Sequence, residues 1–197
     1  MPEALRKITQ ADILPAAEYD QQRKALKANL IPMKKTRRVE VGPFATFYFE
    51  NYATMWLQVQ EMLRIEKGGA EQIPGELEAY NPLIPQGDEL IATMMLEIED
   101  EKRRASALLT LGGIEETIFM EIGGNVIRAT PTEYDDRTTP DGKTSSVHWL
   151  RFKLTQDKIA RFKRGSERVV LGVSHKNYGH MAVLGDETRA ALAKDFA

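Results

Sequence analysis

The residues best suited to chemistry gather first between positions 50 and 66. If residues 52–67 form a helix, stepping about 100° per residue puts Met55, Val59, Met62 and Leu63 on one apolar stripe, with Trp56 at its margin. Glu66 falls inside that stripe, where a carboxylate must be paired, protonated or released to water by the helix end. Gln60, Glu61 and Arg64 are neighbours on another face, and Gln58 lies further round. Glu50 stands just ahead of the helix. Glu50, Glu61 and Glu66 are therefore candidates for acid–base work. Arg64 or Arg38 could clamp an anionic substrate, and Arg37, Arg38, Gln58 and Gln60 are candidates for binding it. The plainer alternative is a solvated surface, since pairs such as Glu61 with Arg64 are ordinary on helices.

Histidine offers a second constellation. His148 shares a strand face with Leu150, Phe152 and Leu154, and His175 shares one with Val169, Leu171 and Val173. If those two strands pair antiparallel, both imidazoles reach one sheet end. With a carboxylate such as Glu66 they would then suit zinc, iron or manganese. If the strands are parallel, the set collapses. The alternative is a pair of hydrogen-bonded core histidines, and nothing in the sequence requires a cofactor.

The third feature is segregated charge. Residues 23–38 carry Arg23, Lys24, Lys27, Lys34, Lys35, Arg37 and Arg38 with no acid, and residues 151–168 add seven basic residues against two acids. Residues 61–101 reverse the balance, with eleven acids against two basic residues. Such polarity can steer a charged partner. Trp149, Arg151 and Lys153 alternate on one strand face, although a single aromatic falls short of a base-stacking platform.

These residues need elements to position them, and the local signals predict one α+β domain: a mostly antiparallel sheet with several helices packed on it. An N-terminal helix is expected over 9–30, capped by Thr9, restarted at Pro15 and stopped by Pro32. A hairpin–helix unit follows over 38–67, turning at Gly42-Pro43, with Asn51 as the helix cap and Gly68-Gly69 as its end. The sheet core is expected over 89–175, with a hairpin at Gly123-Gly124 and its last two strands at 146–154 and 168–175. The long polar loop 131–145 should join two strands of one sheet, and a helix over 186–196 should close the fold.

Composition narrows the classes. With no cysteine among 197 residues, the chain has no disulfide, thiolate metal site or cysteine nucleophile. A formal charge of −2 disfavours a generic nucleic-acid binder. No phosphate-loop, dinucleotide-binding, nucleophile-elbow or HExxH pattern is present. No apolar run approaches the ~20 residues that span a bilayer, and 1–14 lacks a secretory pattern, so a soluble cytoplasmic protein is expected.

Phe49-Glu50-Asn51, Thr54, the run Gln58–Arg64 and Glu66 resemble a bacterial family of uncharacterised proteins, a domain of unknown function of about this length. Asp12–Pro15, Glu18-Tyr19, Val39–Gly42, Leu83–Asp88 and Ala92–Met95 extend the similarity over the whole chain. The resemblance brings no catalytic residue with it. What it implies is context: members are often encoded beside rubrerythrin-like di-iron proteins and iron–sulfur proteins similar to heterodisulfide reductase subunits. A cysteine-free neighbour of such proteins is expected to assist their chemistry rather than perform it. Three readings follow: a binding or adaptor protein for a redox partner, a small enzyme or metal-binding protein using the carboxylate, arginine and histidine residues, and a nucleic-acid binder using the basic segments. Oligomeric state stays open.

Overall fold

The computed structural model describes residues 5–132, 138–139 and 142–197; the remainder of the loop 131–145 lies outside the described residues. Six helices and nine strands follow in the order α1 (Ala16–Thr36), β1 (Arg38–Val41), β2 (Ala45–Phe49), α2 (Tyr52–Glu66), α3 (Ile73–Tyr80), β3 (Glu89–Leu96), α4 (Glu101–Thr110), β4 (Ile118–Ile122), β5 (Asn125–Arg128), β6 (Thr130–Pro131), β7 (Val147–Lys153), α5 (Gln156–Arg164), β8 (Val169–His175), β9 (Tyr178–Val183) and α6 (Asp186–Ala193). The α+β class is as expected, but the strands form two sheets rather than one. The first has the order β1-β2-β3-β7-β6 and the second β5-β4-β8-β9, every pairing antiparallel.

Alternation explains how the sheets stack. Phe47, Leu90, Met94, Leu150 and Phe152 from the first sheet join Met120, Ile122, Leu171 and Val173 from the second in one buried cluster, with Phe162, Leu192 and Phe196 from the C-terminal part. The first sheet is buried on its other face too. There Met55 and Val59 of α2 cover Ile91, with Ile8, Leu83 and Ile84 in a second cluster. This is why β3 is buried at almost every position instead of alternating.

Five expected boundaries move. Thr9 donates from its backbone nitrogen and its hydroxyl to Asp12, at 2.7 and 2.6 Å, but this caps only a 3-10 turn, and the helix proper starts at Ala16. It then runs through Pro32 to Thr36. Pro32 removes the bond to the carbonyl of Ala28, but both residues are exposed, so that carbonyl is open to solvent. The sheet core extends past 175 because β9 adds a strand after a short turn at Lys176-Asn177. The last helix ends at Ala193 rather than 196. Finally α2 closes at Lys67, which itself takes the left-handed conformation (φ 56°) one residue before the glycines.

Candidate functional site

The Phe49-Glu50-Asn51 segment is the junction where β2 hands over to α2, and it is built by reciprocal bonds. Asn51 accepts from the Thr54 backbone nitrogen at 3.0 Å, while Asn51's own nitrogen donates to Thr54 Oγ1 at 3.0 Å. Leaving the strand, Phe49 and Glu50 present two successive carbonyls that need donors. Arg37, buried at the end of α1, supplies them: Nε donates to Phe49 O and Nη2 to Glu50 O, each at 2.9 Å. The same guanidinium also makes a two-pronged ion pair with the buried carboxylate of Asp195.

With its backbone fixed in this way, Glu50 turns its side chain onto the outer face of the first sheet. It is 8% exposed and accepts from Thr93 Oγ1 at 2.6 Å. Burial pushes its carboxyl up from the ordinary range, and the Thr54 and Thr93 hydroxyls with the charges of Lys34 and Arg37 pull it only partly back. Among the described residues no cation pairs with it directly. It borders a half-open cleft of about 340 Å³ between α1, α2 and the sheet, whose walls include Lys34, Phe49, Met55, Gln58 and Met95. A second cleft, of about 570 Å³ and lined by Pro32, Met33, Tyr52 and Ala53, lies on the other side of the Arg37–Asp195 pair.

Of the sequence candidates, Glu50, Arg37 and Gln58 come together at this cleft. The others disperse. Glu61 clamps α2 to α1, accepting from the Tyr19 hydroxyl at 2.6 Å, from Arg23 at 2.7 Å through each of two nitrogens, and from Lys27 at 3.2 Å. The Arg23 bonds hold its carboxyl down at about 2. Arg64 pairs with Asp20 at 2.6 Å, not with Glu61. Glu66 accepts from Gln72 at 2.7 Å on the exposed last turn, the solvated alternative weighed for it. Gln60 is buried, and its Nε2 has no hydrogen-bond partner among the described residues. Arg38 lies on the exposed sheet surface with Glu40, Glu97 and the Tyr48 hydroxyl. The carboxylate cluster of Glu50 with Glu61 or Glu66 is therefore not assembled.

His148 and His175 sit on strands of different sheets, so the antiparallel pairing that would bring both imidazoles to one sheet end does not form. His148 has Nε2 2.9 Å from Ser145 O and Nδ1 3.8 Å from Glu115. In His175, Nδ1 accepts from Asn177 N at 3.2 Å, so Nε2 carries the proton facing Gly112 O at 3.3 Å. Among the described residues no group of three or more His, Cys, Asp or Glu side chains is placed to hold a metal ion. The basic segments are largely answered from within: Arg151 and Lys153 by Glu89 and Asp88, and Arg161 by Glu167. Trp149 is half-buried, packed against the second core cluster. Thr93, Met95 and Asp195 were not singled out from the sequence. Only Thr54 carried a local signal, as the third residue after the Asn51 cap.

Fold and cleft together define a class: two stacked antiparallel sheets with a helix-bordered cleft over a buried carboxyl. The chain belongs to the family described as "Protein of unknown function (DUF3501)", whose model matches residues 7–196. It is similar to a crystal structure described as a novel protein of unknown function from Burkholderia pseudomallei K96243. The two are 34% identical over 97% of this chain and 100% of that one, with a TM-score of 0.88. No curated protein matches the chain. Among the described residues no helix is long and apolar enough to cross a membrane.

Proposed function

We propose that the chain binds a small organic molecule in the Glu50 cleft, with Glu50 as the group that exchanges a proton or hydrogen bond with it. The observation that carries this reading is a buried carboxyl that borders an open cleft and is held by a hydroxyl rather than a cation. Buried carboxyls outside ion pairs are rare in cores, and their raised affinity for protons suits acid–base work. A fragment library screened by amide chemical-shift mapping tests it. Hits should move Thr93, Thr54 and Gln58 signals in the natural chain and lose affinity in Glu50→Gln. Hits that map elsewhere, or that ignore the substitution, overturn the reading.

A second reading is an accessory protein in the cytoplasm that docks on a rubrerythrin-like or iron–sulfur partner. The exposure of α1 favours it: only Tyr19 of its 21 residues is buried, and its outward side presents Lys24, Lys35 and Ile31, the last 64% exposed. An acidic partner surface would complement that side. Co-purification at low salt should be lost in Lys24→Glu/Lys35→Glu, and unchanged capture by that variant would remove α1 from the interface.

A further inference from the structure

Resting on the reading of the Glu50 cleft as a ligand site, we propose that it takes a small zwitterion, with an ammonium group inward on Glu50 and a carboxylate outward at Lys34. The assignment comes from asking which polar groups around the cleft are still available. Arg37 borders it but is spent: its guanidinium is shared among Phe49 O, Glu50 O and Asp195. The Tyr48 hydroxyl donates to Glu97 at 2.7 Å and accepts from Arg38 at 3.3 Å. Glu50, Lys34 and the exposed Gln58 amide remain, and of these Glu50 and Lys34 are the ionisable ends. Glu50 has Thr93 on one oxygen, and the Lys34 ammonium makes no ion pair or hydrogen bond among the described residues.

Their depths differ. Glu50 is buried and Lys34 is exposed, so the negative end lies inside and the positive end at the mouth. Between them the walls are apolar, from Phe49, Met55 and Met95. A ligand that answers this sequence of surfaces has a cation, a short apolar body and an anion in that order. An amine alone would leave Lys34 as an uncompensated like charge. An acid alone would pair only with the solvent-exposed lysine, a weak contact, and would set its apolar end on a buried carboxyl. The volume, at the lower end for ligand pockets, suits a molecule of metabolite size rather than a nucleotide.

Three probes separate the contributions: 5-aminopentanoate, n-butylamine and pentanoate, titrated by NMR against the full chain, Glu50→Gln and Lys34→Ala. The aminoacid should bind the natural chain at least roughly tenfold tighter than either single-ended probe, as expected for hydrogen bonds to charged groups. Glu50→Gln should cost about that factor for both amine-bearing probes. Lys34→Ala should weaken the aminoacid and leave butylamine unchanged or improved. Pentanoate binding as tightly as the aminoacid overturns the proposal, as does a Lys34→Ala chain that holds the aminoacid unchanged. Should Glu50→Gln fail to fold, the Lys34→Ala pattern decides alone. If only fragments without an amine bind in a Glu50-dependent way, the zwitterion is wrong and the ligand cleft stands. If neither the probes nor any fragment binds there, both fall.

Discussion

Two buried or half-buried carboxylates in this molecule respond to their surroundings in opposite directions, and the difference predicts their behaviour with pH. Glu61 is surrounded by Arg23, Lys27 and the Tyr19 hydroxyl, and is held down at about 2. Its folded form binds protons less readily than the unfolded chain. The stabilisation is therefore complete above the ordinary glutamate range and is lost as pH falls toward about 2. Because the network borders solvent, its worth is discounted to about 1–2 kcal/mol. Urea denaturation should show Glu61→Gln less stable by that amount at pH 7, with the gap closing toward pH 2.5; a gap independent of pH would contradict the assignment. Glu50 runs the other way. Burial favours its protonated form, so its contribution falls as pH rises through its raised value. Glu50→Gln keeps the acceptor for Thr93 and should match or exceed the natural chain in melting temperature at pH 8, while a marked loss there would mean that the carboxylate is structurally required. Arg37 and Asp195 make the strongest residue-scale case. Removing either strands a buried charge, so Arg37→Ala or Asp195→Ala should cost about 3–5 kcal/mol in denaturant titration. None of these three roles was equally visible in the sequence. Arg37 stood out as one of seven basic residues and as a candidate for binding an anion, not as half of a buried pair whose partner lies 158 positions away.

At the scale of elements, what could be read depended on whether the deciding contact was local. The start of α2 was legible because its cap and the residue that returns the favour lie three positions apart. Its end was read one residue too late: Gly68 is the better left-handed residue, yet Lys67 adopts that conformation. Lys67→Gly should consequently stabilise the chain by about 0.5–1 kcal/mol in thermal or urea unfolding, since it removes a side chain from a backbone position that disfavours one. Pro32 misled for a related reason. A proline inside a helix forfeits one backbone bond, and here the carbonyl it frees lies on an exposed turn. Strand β9 escaped notice because its one buried large residue is Tyr178, whose hydroxyl donates to Val41 O at 2.7 Å across the two sheets. A strand held by such a long-range contact shows little alternation of its own.

For the whole molecule, the division into two sheets was the least legible feature, because strand pairing depends on register between segments far apart in the chain. Loop 131–145 joins β6 and β7, neighbours in the first sheet, as expected, whereas β8 falls in the second sheet, so the antiparallel pairing expected to bring His148 and His175 to one sheet end does not form. The stacked faces nevertheless share one core, from Phe47 to Leu171. Phe47→Ala should cost about 3–5 kcal/mol, and the far-ultraviolet signal and the Trp56 and Trp149 fluorescence should still melt together. Two resolved transitions would indicate separately folding halves.

The Arg37–Asp195 pair also constrains descent. A lineage that loses the aspartate first must carry a stranded guanidinium, and one that loses the arginine first a stranded acid; either intermediate is poorly tolerated. The two positions should therefore be inherited as a unit across related sequences, changing together to an uncharged pair or not at all. The carbonyls of Phe49 and Glu50 depend on the same guanidinium. Ancestors that gave up the pair would be expected to have rebuilt the strand-to-helix junction beside Glu50 as well.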